Sequence, residues 1–140
     1  MSKRKAAPPA PASANPERGE RVLELGGATY VLRPSHEAIV AVEERLGKSN
    51  LALLRLGNSG DLTNVQLAAI AAGFIRAGAK DDLGRAVNET KLGKAIYERG
   101  AAAVTTVLTL CLLDAVQGGR SAEGNGKAPA ANNQEAAGDV

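Results

Sequence analysis

The sequence predicts a mainly α domain opened by a short N-terminal β-hairpin, an α+β arrangement of about four to five helices packed on a two-stranded ribbon. Three observations carry this. The stretch "RVLELGGATYVLRP" (residues 21–34) alternates apolar and polar residues around a Gly-Gly pair and stops at a proline. From residue 35 to residue 119, apolar residues recur at three- and four-residue spacing, punctuated by Ser, Thr and Gly where helices start and stop. The two ends are unlike this middle: residues 1–20 are Pro, Ala and charge with no large apolar side chain after Met1, and residues 120–140 are similarly poor. Such segments bury too little surface to offset the entropy of ordering, so they are expected to be disordered tails. Residues 21–119 remain as the folded part, about 100 residues, enough for one modest core.

A two-residue Gly26-Gly27 loop pairs Leu25 with Ala28 and Leu23 with Tyr30. That register places Leu23, Leu25, Ala28, Tyr30 and Leu32 on one face and Val22, Glu24, Thr29 and Val31 on the other. An isolated hairpin is marginal, so the first face must be covered by helices. Pro34 ends the second strand, and Ser35 is placed as the N-cap of a helix over "HEAIVAVEERLG", with Ile39, Val42 and Leu46 at helical spacing and Gly47 as its stop.

The next segment, "SNLALLRLGNSGD", carries Leu51, Leu53, Leu54 and Leu56, too many for one narrow stripe. A short core helix packed on two neighbours would use them all; a partner-binding surface would leave some exposed. Thr63 and Gln66 have capping-box spacing before "VQLAAIAAGFIRAG", whose buried side is Leu67, Ile70, Phe74 and Ile75. Gly73 inside that helix implies a close neighbouring backbone, and Gly78 reads as its C-terminal stop. "DDLGRAVNETKLGKAIYERG" is less regular, with a helix over residues 88–99 ended by Gly100. The last helix presents Val104, Val107, Leu108, Cys111, Leu112 and Ala115 on one face and ends at Gly118 and Gly119.

Composition weighs against several function classes. Seventeen Lys and Arg against 15 Asp and Glu give a net charge of only +2, and the one basic run, Lys3 to Lys5, lies in a tail, so a nucleic-acid interface is disfavoured. Cys111 is the only cysteine and sits in an apolar run, where a buried thiol is the expectation. His36 is the only histidine and falls in a first helical turn. "RLGKS" (residues 45–49) lacks the upstream glycine and strand of a phosphate loop. A secretory apolar region is missing after the basic start, which predicts a cytoplasmic protein, and the longest apolar stretch, Ala101–Val116, is interrupted by Thr105, Thr106, Thr109 and Asp114. No cofactor, metal or membrane is implied.

The order "VLELGGATYVLRPSHEAIVAVEERLG", then "LTNVQLAAIAAGFIRAGAK", then "GAAAVTTVLTLCLLDA" resembles the gene-transfer-agent and phage tail-assembly chaperone family, over residues 21–119. The shared pattern is a hairpin with Gly at its turn, a helix closing on Glu43, Glu44 and Gly47, a capped helix containing "AAGFIRAG", and an Ala- and Leu-rich last helix. The resemblance implies a non-enzymatic factor of the phage, prophage or gene-transfer-agent host cell, absent from the mature particle. It would hold the tail tape-measure protein while tail-tube subunits polymerise around it. It implies no catalytic residue. From the apolar excess alone, the candidate partner contacts are Leu51, Leu53, Leu54, Leu56 and Phe74. A small helical adaptor or regulatory module remains an alternative, a nucleic-acid binder a weaker one, and homo-oligomerisation is open.

Overall fold

The computed structural model describes residues 14–15 and 19–119. Two strands, β1 (Arg21–Leu25) and β2 (Ala28–Leu32), are followed by α1 (His36–Leu46), α2 (Asn50–Ser59), α3 (Asn64–Gly78), α4 (Asp82–Arg85), α5 (Glu89–Arg99) and α6 (Ala101–Val116). The protein is therefore mainly helical behind an N-terminal hairpin, with one helix among the described residues beyond the four to five the sequence suggested. The addition, α4, is a single four-residue turn with a glycine in it, too short to show a periodicity; Asp81 caps it by accepting from the Gly84 amide at 2.9 Å.

The hairpin has the register its sequence dictates, Leu25 opposite Ala28, Leu23 opposite Tyr30 and Arg21 opposite Leu32. Both turn glycines hold positive φ, 59° and 80°, the primed-turn conformation whose twist matches that of the strands. Leu23, Leu25 and Leu32 are buried. Val31, assigned to the outer face, is buried as well, at the place where the end of α3 crosses β2 and the Arg33 amide donates to the Phe74 carbonyl at 3.0 Å.

α3 is the hub, touching β2 and helices α1, α4, α5 and α6. Its start is a full capping box, Thr63 Oγ1 accepting from the Gln66 amide and Gln66 Oε1 from the Thr63 amide. Leu67, Ile70, Phe74 and Ile75 all lie in the core. Gly73 has a close neighbour, but it is a side chain rather than the expected backbone: a Cβ there would stand 2.6 Å from Val42 Cγ2 and at an ordinary 3.5 Å from the Ala38 carbonyl of α1. α3 stops at Gly78 as expected, Ala79 being the C-cap in extended conformation. Glycine is required there because a Cβ would lie 2.5 Å from the Val31 carbonyl oxygen.

Elsewhere the caps fall as expected. Ser35 accepts from the Ala38 amide, Gly47 takes the left-handed conformation at φ 66°, and Gly118 and Gly119 follow α6 with positive φ. "RLGKS" resolves into a helix junction, Gly47 closing α1 and Ser49 capping α2. Glu43 adds a second cap, its carboxylate accepting from the Asn50 amide at 2.8 Å, a negative charge at a helix N-terminus.

Glu20, grouped with the tail by composition, belongs to the folded unit. It is 3% exposed, accepts from the Asn15 amide at 2.9 Å and faces Lys80 Nζ at 3.5 Å. The remaining tail expectations, on residues 1–13, 16–18 and 120–140, lie outside the described residues.

Candidate protein-binding surface

α5 carries only two buried apolar side chains, Leu92 and Ile96, one turn apart. A helix held by so thin a stripe gains from a tie outside the stripe, and one is found at Gly93. The Asn64 side-chain amide donates to the Gly93 carbonyl at 2.9 Å, and Gly93 faces Ala68 of α3, whose Cβ would stand at an ordinary 3.7 Å from a Cβ built on it. Small residues thus bring α3 and α5 together, while larger ones beside them stand up: Val65 is 62% exposed and Tyr97 79%.

Between them lies an open groove of about 720 Å³, with Ala68 and Gly93 as floor, Val65 and Tyr97 as apolar walls, and Asn64, Thr90, Arg45, Glu89 and Lys94 at the rim. Arg45 and Glu89 pair at 3.0 Å, tying α1 to α5. A second cleft of about 450 Å³ lies on the hairpin side of α5, where Tyr30, Leu83 and Lys91 contribute, and Lys94 lines both. The three most exposed large apolar side chains among the described residues, Tyr97, Val65 and Leu83, all border these two spaces.

The contacts expected from the leucine excess lie elsewhere. Leu53, Leu54 and Phe74 are buried and cannot face a partner in the folded chain, and Leu56 is partly buried against the core. The reason is the seat of α2 on α6: Gly57 permits an approach so close that a Cβ there would collide with Thr109 Oγ1, so the inward leucines are used in packing. Leu51 alone, 44% exposed, remains on the surface. The structure therefore does not bring the five residues together as one face. The groove on α5 escaped sequence reasoning, although one signal existed: Tyr97 follows Ile96 and so falls off the Leu92–Ile96 stripe, an aromatic on a polar face.

Cys111 is fully buried, and burial pushes its thiol up to about 12, so it stays protonated at neutral pH. His36 is exposed at the first position of α1. Among the described residues, no three His, Cys, Asp or Glu side chains gather as a metal site, and no single helix is long and apolar enough to cross a membrane. Compared with protein-family models, curated proteins and solved structures, the chain matches none.

Proposed function

We propose that this chain is a non-enzymatic tail-assembly chaperone of the phage or gene-transfer-agent kind, which holds a helical segment of a tape-measure protein in the cytoplasm while tail-tube subunits assemble. The observation that carries the proposal is the open apolar groove between α3 and α5, walled by Val65 and Tyr97. A tape measure awaiting its tube exposes apolar helical surface, and a groove of this kind accepts an amphipathic helix by its i, i+3, i+4 and i+7 side chains. The hairpin followed by a capped, Ala-rich central helix supports the same family. Release must follow capture, and a short groove with a polar rim suits an interface of the transient class.

Co-expression with the tape-measure protein of the same gene cluster tests this. The wild type is expected to keep that partner soluble and to co-purify with it, without added metal or nucleotide. Val65→Asp and Tyr97→Asp, both at exposed positions, should weaken the complex while circular dichroism stays unchanged. Leu53→Asp, a charge in the core, should abolish binding only by unfolding the chain. A folded wild type with no affinity for the tape measure refutes the chaperone role and leaves the same groove to an adaptor; binding to DNA with steep salt dependence would move the function to nucleic acid.

A further inference from the structure

The rim of the α3–α5 groove says more about its occupant than apolarity does. Its charged residues are Arg45, Glu89 and Lys94. The first two neutralise each other at 3.0 Å, which leaves Lys94 as the net charge of the groove. Lys94 makes no ion pair among the described residues, nor does Lys91, which stands one turn earlier on α5 beside the neighbouring cleft. Along α5 the groove runs from Glu89 to Tyr97, about 12 Å, or two turns, at roughly 1.5 Å per residue.

The chain's own tails are poor candidates to fill it. Outside the described residues the only large apolar side chains are Met1 and Val140, and the N-terminal Lys3, Arg4 and Lys5 repeat the sign of Lys94.

We propose that the groove takes about two turns of an amphipathic helix from a partner protein, its apolar side chains seated between Val65 and Tyr97 over Ala68 and Gly93, and its flank acidic so that a carboxylate meets Lys94. This rests on reading the groove as the protein-binding surface of the chaperone, and it adds a rule of charge. An acidic flank gains an ion pair at the edge of a desolvated apolar contact, whereas a basic flank meets Lys94 as a like charge. Such a rim pair governs selectivity and salt dependence more than total affinity.

The test uses the full-length chain, labelled for amide spectroscopy, and three helical peptides of about 15 residues, near the shortest length that holds a helix in water. They share one leucine stripe and differ only in flanks of Glu, Gln or Lys. Peptide binding should shift the Gly93 and Tyr97 amides. The Glu-flanked peptide should bind about threefold more tightly than the Gln-flanked one and the Lys-flanked one more weakly still, the spread closing at high ionic strength. Lys94→Glu should invert the order and Lys94→Arg preserve it.

Equal affinity for the three peptides, or shifts confined to another face, would overturn the proposal. So would movement of those amides with protein concentration alone, which would make a second copy the occupant. A response of the free chain to Glu135→Gln with Asp139→Asn would assign the groove to its own tail and overturn it as well. The two levels stay separable: a Glu-flanked peptide that binds where the tape measure does not refutes the chaperone role alone, and a tape measure held at Tyr97 while the peptides show no charge order refutes the charge rule alone.

Discussion

α3 and α5 lie against each other, yet the core has taken them to opposite extents: nine of the 15 residues of α3 are buried and only two of the 11 of α5. The difference follows from side-chain size. A helix packed against several elements must let its neighbours approach its axis, and α3 does so with Ala68, Ala69, Ala71, Ala72, Gly73 and Gly78 among its larger anchors. α5 is fastened along one edge by Leu92, Ile96 and the Asn64–Gly93 hydrogen bond, so its outer surface carries no structural duty. Buried apolar contact sets local resistance to opening, which places α5 nearer the mobile end of the molecule's range and α3 at its stable end.

Damage to the hub should cost the fold most. Phe74→Ala removes a fully buried ring and should cost about 3–5 kcal/mol in denaturant unfolding. A small loss would mean that α3 is not the centre of the core.

Alkali reaches the same buried interior by another route. Because the Cys111 thiol is raised from 9.0 to about 12, the unfolded chain loses this proton first as pH rises. Stability contributed by the neutral thiol is complete below 9.0 and should decline between 9.0 and about 12, by up to about 1.4 kcal/mol per pH unit. Cys111→Ala should flatten that decline relative to wild type, and thiol reagents should label the native wild type far more slowly than the unfolded chain.

Two glycine substitutions should act in opposite directions on the two helices. Gly78→Ala presses a methyl group onto the backbone of β2 and should destabilise by about 1–3 kcal/mol, as overpacking does. Gly93→Ala meets only ordinary contacts, 3.4 Å from Asn64 Nδ2 and 3.7 Å from Ala68 Cβ, so the helix-interior gain of roughly 0.5–1 kcal/mol should dominate and raise stability. The added methyl also raises the groove floor, and peptide affinity should fall. Smallest of all, Tyr97→Ala should change unfolding free energy by no more than about 0.5 kcal/mol, because the ring is almost entirely in solvent; a larger change would show that α5 depends on it.

What could be read from the sequence was what local chemistry decides. The Gly26-Gly27 turn sets the hairpin register, and Ser35, Thr63 and Asn88 mark helix starts through side-chain acceptors that act within three residues. The stripe of α6 through Val104, Leu108, Cys111 and Leu112 is likewise a property of one helix and its period. Partition of the α2 leucines was not legible, since the depth of Leu53 against Leu51 depends on how Gly57 meets Thr109, a contact between residues far apart in the sequence. That α3 stops at Gly78 was legible but the reason for glycine was not, because a glycine at a helix end serves a turn or a close approach equally well, and only the position of β2 decides between them. The groove arises from a pair of small residues, Ala68 and Gly93, that become neighbours only when α5 folds back on α3.

The contact between Arg21 and Asp114 bears on the course of the chain as a whole. Arg21 is the first strand residue, and its guanidinium pairs with Asp114 at 3.2 Å, while the carbonyl of the same aspartate accepts from the Gly119 amide at 2.8 Å. One residue therefore touches both the start of β1 and the turn that follows α6, and the path from β1 to α6 is close to a ring. A ring can be cut elsewhere. Joining the two ends with a short linker and opening the backbone at the exposed Gly60–Asp61 link, after the left-handed cap of α2, would yield a circular permutant in which every helix and the hairpin keep their partners. Fused cargo could then be carried from the α2–α3 corner instead of from the shared terminus, which makes the order of elements along the chain a matter of convenience and their adjacency the property that the fold conserves.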